Sequence, residues 1–83
     1  MTDHALATSI LAAHHWNARR VSLTHALETL RLRALAEGDG DRAAWCLTLH
    51  AAAWASSIGQ LRAELPGWER AAAHAATHYR PLC

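Results

Sequence analysis

Residues 41–65 read DRAAWCLTLHAAAWASSIGQLRAEL, and between Arg42 and Arg62 no position carries a formal charge. Leu47, Ala51, Trp54, Ile58, Leu61 and Leu65 recur at spacings of four and three, the seam of a helix that packs into a bundle core. A water-facing helix should be polar on the reverse side. Here the reverse side carries Trp45, Leu49, Ala52, Ser56, Gly59 and Ala63. A helix with two apolar faces is normally buried on both, so the second face calls for a partner. Ala52, Ser56, Gly59 and Ala63 are small enough to admit a close helix, and Trp45 and Leu49 are bulky enough to anchor it. The uncharged run approaches the ~20 residues that cross a bilayer. Thr48, His50, Ser56, Ser57 and Gln60 interrupt it, and its apolar content is mostly alanine, so no membrane span is expected.

Working outward, Glu37-Gly38-Asp39-Gly40-Asp41 is a loop in which Gly38 suits a helix C-terminus and Asp39 or Asp41 suits the next N-cap. Pro66 is expected to open a final helix, because proline is tolerated in a first turn. Before the loop, Leu6, Ile10 and Ala13 define one stripe, and Leu23, Leu27, Leu30 and Ala34 define another displaced by roughly 100°. A single helix over 3–36 would run ~50 Å, longer than any partner in the chain. Ser22 or Thr24 offers a fresh N-cap, so a break is expected between Asn17 and Leu23. The predicted helices are therefore about 3–18, 22–37, 41–64 and 66–80. Leu6/Ile10, Leu27/Leu30 and Trp68/Ala72/Ala75/Tyr79 read as core stripes. Short loops make neighbours antiparallel. The predicted fold is all-α, a small antiparallel up-down helical bundle of three to four helices forming one domain over 1–83.

Composition sets the limits. Of 83 residues, 20 are alanine and only 21 are Leu, Ile, Val, Trp, Tyr or Met. A core this thin commonly needs a disulfide, a metal or a second subunit. All eight basic residues are arginine, which reads as compositional bias, and the net charge of +1 projects no strong field. Residues 4–15 lack the basic region and cleavage site of a secretory signal, and two cysteines are too few for a disulfide framework, so a cytoplasmic location is expected.

Seven histidines raise the question of metal. On a hairpin of the last two helices, Cys46, His50, His78 and Cys83 converge, and two thiolates with two imidazoles form a sound tetrahedral zinc set. The spacing matches no zinc signature, so the leading reading has no cofactor, and a Cys/His metal-binding helical protein that holds zinc stands as an alternative reading. Catalysis finds no support either. The acidic residues near the loop are explained by capping, no aspartate is positioned to orient a histidine beside a serine, and there is no glycine-rich phosphate loop. Arg19, Arg20, Arg31 and Arg33 give an alternative reading as a small nucleic-acid-binding regulator with helix-turn-helix spacing. That segment lacks the turn glycine and base-reading polar residues such a helix needs. Leu32 and Leu35 lie off the core stripe and suggest a second contact surface. The expected function is therefore that of a non-catalytic protein–protein interaction module, an adaptor, inhibitor or regulatory subunit. It would work through Trp45, Leu49, Ala52, Ser56, Gly59, Ala63, Leu32 and Leu35, binding a protein partner or a second copy as a homodimer.

Overall fold

Gly38 and the two serines at 56–57 divide the chain where its helices end. The computed structural model describes residues 3–77, and over that span it is all helical, with α1 Asp3–Ala36, α2 Gly40–Ala55 and α3 Ile58–Thr77.

The predicted break between Asn17 and Leu23 is absent, and α1 runs unbroken for ~51 Å at 1.5 Å per residue. No glycine or proline interrupts it. The candidate cap Thr24 is spent inside the helix, where its hydroxyl donates to the carbonyls of Arg20 (3.0 Å) and Val21 (3.0 Å). The change of apolar phase that suggested a break has another cause. Ile10 is exposed rather than core, because α1, at 34 residues, outruns the 16 of α2 and the 20 of α3 among the described residues. From Ala7 to His15 every residue except the half-buried Ala13 is exposed. The dimensions agree: 59 × 20 × 17 Å, with a radius of gyration of 15.5 Å against about 12 Å for a compact chain of this length.

At the end of α1 the chain reverses through a Schellman turn. Gly38 adopts φ 76°, a left-handed conformation that glycine reaches without steric cost. Its N–H donates to Leu35 O (3.2 Å), and Asp39 N–H donates to Ala34 O (2.8 Å). Asp39 then caps α2, with Oδ1 accepting from Arg42 N (3.0 Å) and Oδ2 from Arg42 Nε (3.2 Å).

The predicted helix 41–64 is in fact two helices. Ser56 is extended at ψ 138°, and Ser57 begins a capping box. Gln60 N donates to Ser57 Oγ (3.2 Å), and Ser57 N donates to Gln60 Oε1 (2.8 Å). Pro66 does not open the final helix but sits inside α3, where its missing N–H leaves the Arg62 carbonyl without its helical donor.

These corrections shift the core. Leu23, Leu27, Leu30, Cys46, Ala53, Leu61, Leu65 and Ala72 form one buried cluster, with Trp16, Leu49, Ile58, Trp68 and Ala75 packed on it. Ala34 and Ala43 make a second contact beside the turn. The predicted seam divides at Ser56: Leu61 and Leu65 in α3 are buried, whereas Leu47, Ala51 and Trp54 in α2 face outward. The core side of α2 is instead Ala43, Cys46 and Ala53. The stripes Leu23/Leu27/Leu30/Ala34 and Trp68/Ala72/Ala75 lie on the core as expected. Tyr79, and the side chain of Leu6, lie outside the described residues.

Two arginines of α1 tie the helices together. Arg19 bridges to Glu69 of α3 and stacks on Trp16, its Cζ 4.5 Å from the ring centroid. Arg20 donates through Nη2 to the carbonyl of Ser56. The last turn of α2 has no basic residue of its own, so Arg20 supplies the cation that a helix C-terminus favours.

Candidate interaction surface

With Leu23, Leu27 and Leu30 facing the core, helical geometry places Val21, Glu28, Leu32 and Leu35 on one flank of α1. On α2, with Cys46 and Ala53 inward, Leu47, His50 and Trp54 fall on one flank in the same way. The two helices pack on each other through the shared core of Leu23, Leu27, Leu30, Cys46 and Ala53, and both flanks lie outside that core. Val21, Leu32, Leu35, Leu47 and Trp54 each keep between 51% and 57% of their area exposed. On the other side, Ser22, Ala26 and Arg33 of α1 and Glu69, Ala73 and Ala76 of α3 line an open groove between the two helices.

The polar groups along this surface are held in place. Arg31 Nε donates to Glu28 Oε2 (3.1 Å). The Arg31 hydrogen bond holds the Glu28 carboxyl below the ordinary glutamate range, its charge adds to the effect, and partial desolvation opposes it. The His50 ring lies tilted 6.3 Å from Trp54. Beneath the surface, burial pushes the Cys46 thiol up, against the smaller opposing influence of Arg42 and Arg31. A buried thiol of raised pKa is a poor nucleophile.

The eight residues expected to form the interface are not brought together. Leu32 and Leu35 lie on the α1–α2 surface. Trp45 lines a groove with Arg42, Ala71 and His74. Ala52, Ser56, Gly59 and Ala63 line another with Trp68. Leu49 packs onto the core. The reverse side of α2 therefore faces the gap beside α3. Sequence reasoning missed Leu47 and Trp54 as surface residues, and the missed signal was the Ser57-Ile58-Gly59-Gln60 capping box, which ends the heptad seam.

The four arginines of the nucleic-acid reading are likewise dispersed, each with a partner inside the chain: Arg19 with Glu69, Arg20 with the Ser56 carbonyl, Arg31 with Glu28, and Arg33 with Glu37 at 3.7 Å. Of the four candidate metal ligands, His78 and Cys83 lie outside the described residues. Cys46 is buried and His50 is half-buried. No group of three or more His, Cys, Asp or Glu that could hold a metal ion occurs among the described residues. No helix among them is long and apolar enough to cross a membrane.

Comparison with protein-family models, with curated proteins and with solved structures gives no match to this chain.

Proposed function

We propose that this chain is a non-catalytic protein–protein interaction module, an adaptor, inhibitor or regulatory subunit. In this reading it is a small antiparallel bundle whose helices run up, down and up, and its α1–α2 surface docks a partner protein in the cytoplasm. The observation that carries it is the set of five large apolar side chains left exposed on two helices that pack on each other. Summed, they present on the order of 400 Å² of apolar surface, within the ~300–600 Å² of the largest patch on a typical monomer, which is often functional. Burial of that area contributes about 10 kcal/mol gross at ~25 cal/mol per Å², enough to offset much of the cost of association. Trp54 is the anchor, since tryptophan is enriched among residues that dominate binding energy. The Glu28–Arg31 pair and His50 give the surface a polar seam that fixes orientation. Against nucleic acid stands the engagement of all four arginines by groups of the chain itself.

The test is a photocrosslinking residue at position 47, with position 70 as control, followed by titration of the captured protein in purified form. A discrete adduct from 47 alone, with binding weakened thirtyfold or more by Trp54→Ala, is the expected result. Equal capture at both positions, or unchanged affinity in the Trp54→Ala variant, would overturn the proposal.

A further inference from the structure

α1 packs along both of the other helices, whereas α2 and α3 meet each other only sparingly. The gap between them holds two grooves, of about 580 and 550 Å³. Helical spacing puts both grooves on one flank of each helix. On α2 that flank is Trp45, Leu49, Ala52 and Ser56, at steps of four, three and four. On α3 it is Glu64, Trp68, Ala71 and Ala75, at the same steps. Arg42 Nη1 donates to the Ala75 carbonyl (3.3 Å) at one end, and Ala52 lines a groove with Glu64 toward the other. The grooves are thus two parts of one trough, ~17 Å long from Trp45 to Ser56, or about three helical turns. Seams with this spacing are the kind that pack against another helix, and in a four-helix bundle the place opposite α1 belongs to a fourth helix.

The trough is also acidic. Glu28, Glu37, Asp39 and Glu69 are each held by an arginine. Asp41 and Glu64 are exposed and have no ion-pair or hydrogen-bond partner among the described residues. Asp41 lines the first groove and Glu64 the second. Arg42, the arginine of the first groove, is balanced by Asp39. With histidine neutral, two uncompensated negative charges remain. Counting back from the Arg42–Ala75 contact, Glu64 comes level with Ala52 or Ala53, so the two carboxylates stand ~17 Å apart along the trough.

We propose that the α2–α3 trough takes an amphipathic helix of a partner protein, with basic residues about three turns apart for Asp41 and Glu64. Its apolar side faces Trp45, Leu49 and Trp68, the mode in which helices are recognised by grooves. The small side chains of Ala52, Ser56 and Ala71 let its backbone approach closely. Trp45, 39% exposed beside Asp41, offers an indole face to the cation at that end. The trough lies on the opposite flank of α2 from Leu47 and Trp54, so the proposal does not rest on the reading of the α1–α2 face. One chain can then hold a protein on each side.

The test uses two synthetic, lactam-stapled helices of about 15 residues built from alanine and leucine. They are alike except that one carries arginines, and the other glutamates, at two positions about three turns apart beside the leucine face. Isothermal titration against the full chain at low salt should give the arginine helix a Kd at least tenfold below that of the glutamate helix. The difference should shrink as salt screens the charges, and Asp41→Asn/Glu64→Gln should remove most of it. Ala71→Trp fills the trough from an exposed position and should abolish binding with helicity unchanged. Ala52→Trp does the same from the opposite wall and serves if the first variant misfolds. Leu47→Ser/Trp54→Ser should leave the titration unchanged. No binding of either helix, equal affinity for the two, or binding that survives both tryptophan variants would each overturn the proposal. Binding lost in Leu47→Ser/Trp54→Ser but kept in Ala71→Trp would overturn it too, by placing the probe on the α1–α2 face.

Discussion

Replacing Arg20 by methionine removes a guanidinium and keeps most of the apolar stem. Arg20 Nη2 donates to the Ser56 carbonyl at the end of α2. A hydrogen bond involving a charged group contributes about 1.5–3 kcal/mol, and a cation at a helix C-terminus adds about 0.3–1 kcal/mol. Part of this is offset, because Arg20 Nε is buried without a partner and methionine relieves that cost of about 1 kcal/mol or more. The net expected loss is about 1–2 kcal/mol. For a domain of this size each kcal/mol moves the melting temperature by about 4–8 °C, so Arg20→Met should melt roughly 4–16 °C lower. Arg20→Lys keeps the charge and one donor and should fall between the two. Urea and thermal unfolding followed by circular dichroism at 222 nm measure both variants. If Arg20→Met matched the parent within about 0.5 kcal/mol, a size usual for inert surface changes, the assigned role of Arg20 at the end of α2 would be refuted.

Other outcomes follow from the same contacts. Ser57→Ala deletes one half of the capping box and should cost about 1 kcal/mol, read from the urea midpoint; no change would place the start of α3 elsewhere. Leu61→Ala empties a fully buried site and should cost about 2.7–5 kcal/mol, whereas Leu47→Ala at an exposed site should cost far less; equal losses would contradict the assignment of core and surface. Burial raises the Cys46 pKa in the folded chain, while the unfolded thiol ionises near ~8.5. The associated stability is therefore full below that pH and is lost as pH rises through the folded value. Urea midpoints between neutral and alkaline pH should fall more steeply for the parent than for Cys46→Ala, and parallel slopes would count against it.

The helical class and one loop were legible because their signals are local. Gly38 and Asp39 act as the chemistry of helix ends requires, and the Leu23–Leu27–Leu30–Ala34 stripe faces the core. The errors arose where one pattern had two physical causes. Leu47, Ala51 and Trp54 continue the spacing of Leu61 and Leu65, yet the Ser57–Gln60 capping box resets the phase, so the first three face outward and the last two inward. Apolar periodicity alone weighs a leucine the same on either side of such a break. A helical stripe normally implies a covering layer, but Ile10 lies where α1 outruns its partners, and that depends on the relative lengths of helices. Pro66 misled because an isolated proline signals a helix start more often than an interior position. As for the interaction surface, Leu32 and Leu35 were visible from being off the stripe. Trp54 was hidden because it fitted the seam so well.

Native mass spectrometry of the untagged chain, isolated from cells that express it, bears most directly on the proposed role of the α1–α2 surface. The parent chain should carry a second protein in fixed stoichiometry, and that mass should vanish in a Leu47→Ser/Trp54→Ser variant whose helicity is unchanged. A chain isolated free of any other protein, or a complex indifferent to those two substitutions, would contradict the assignment of that surface as the docking site.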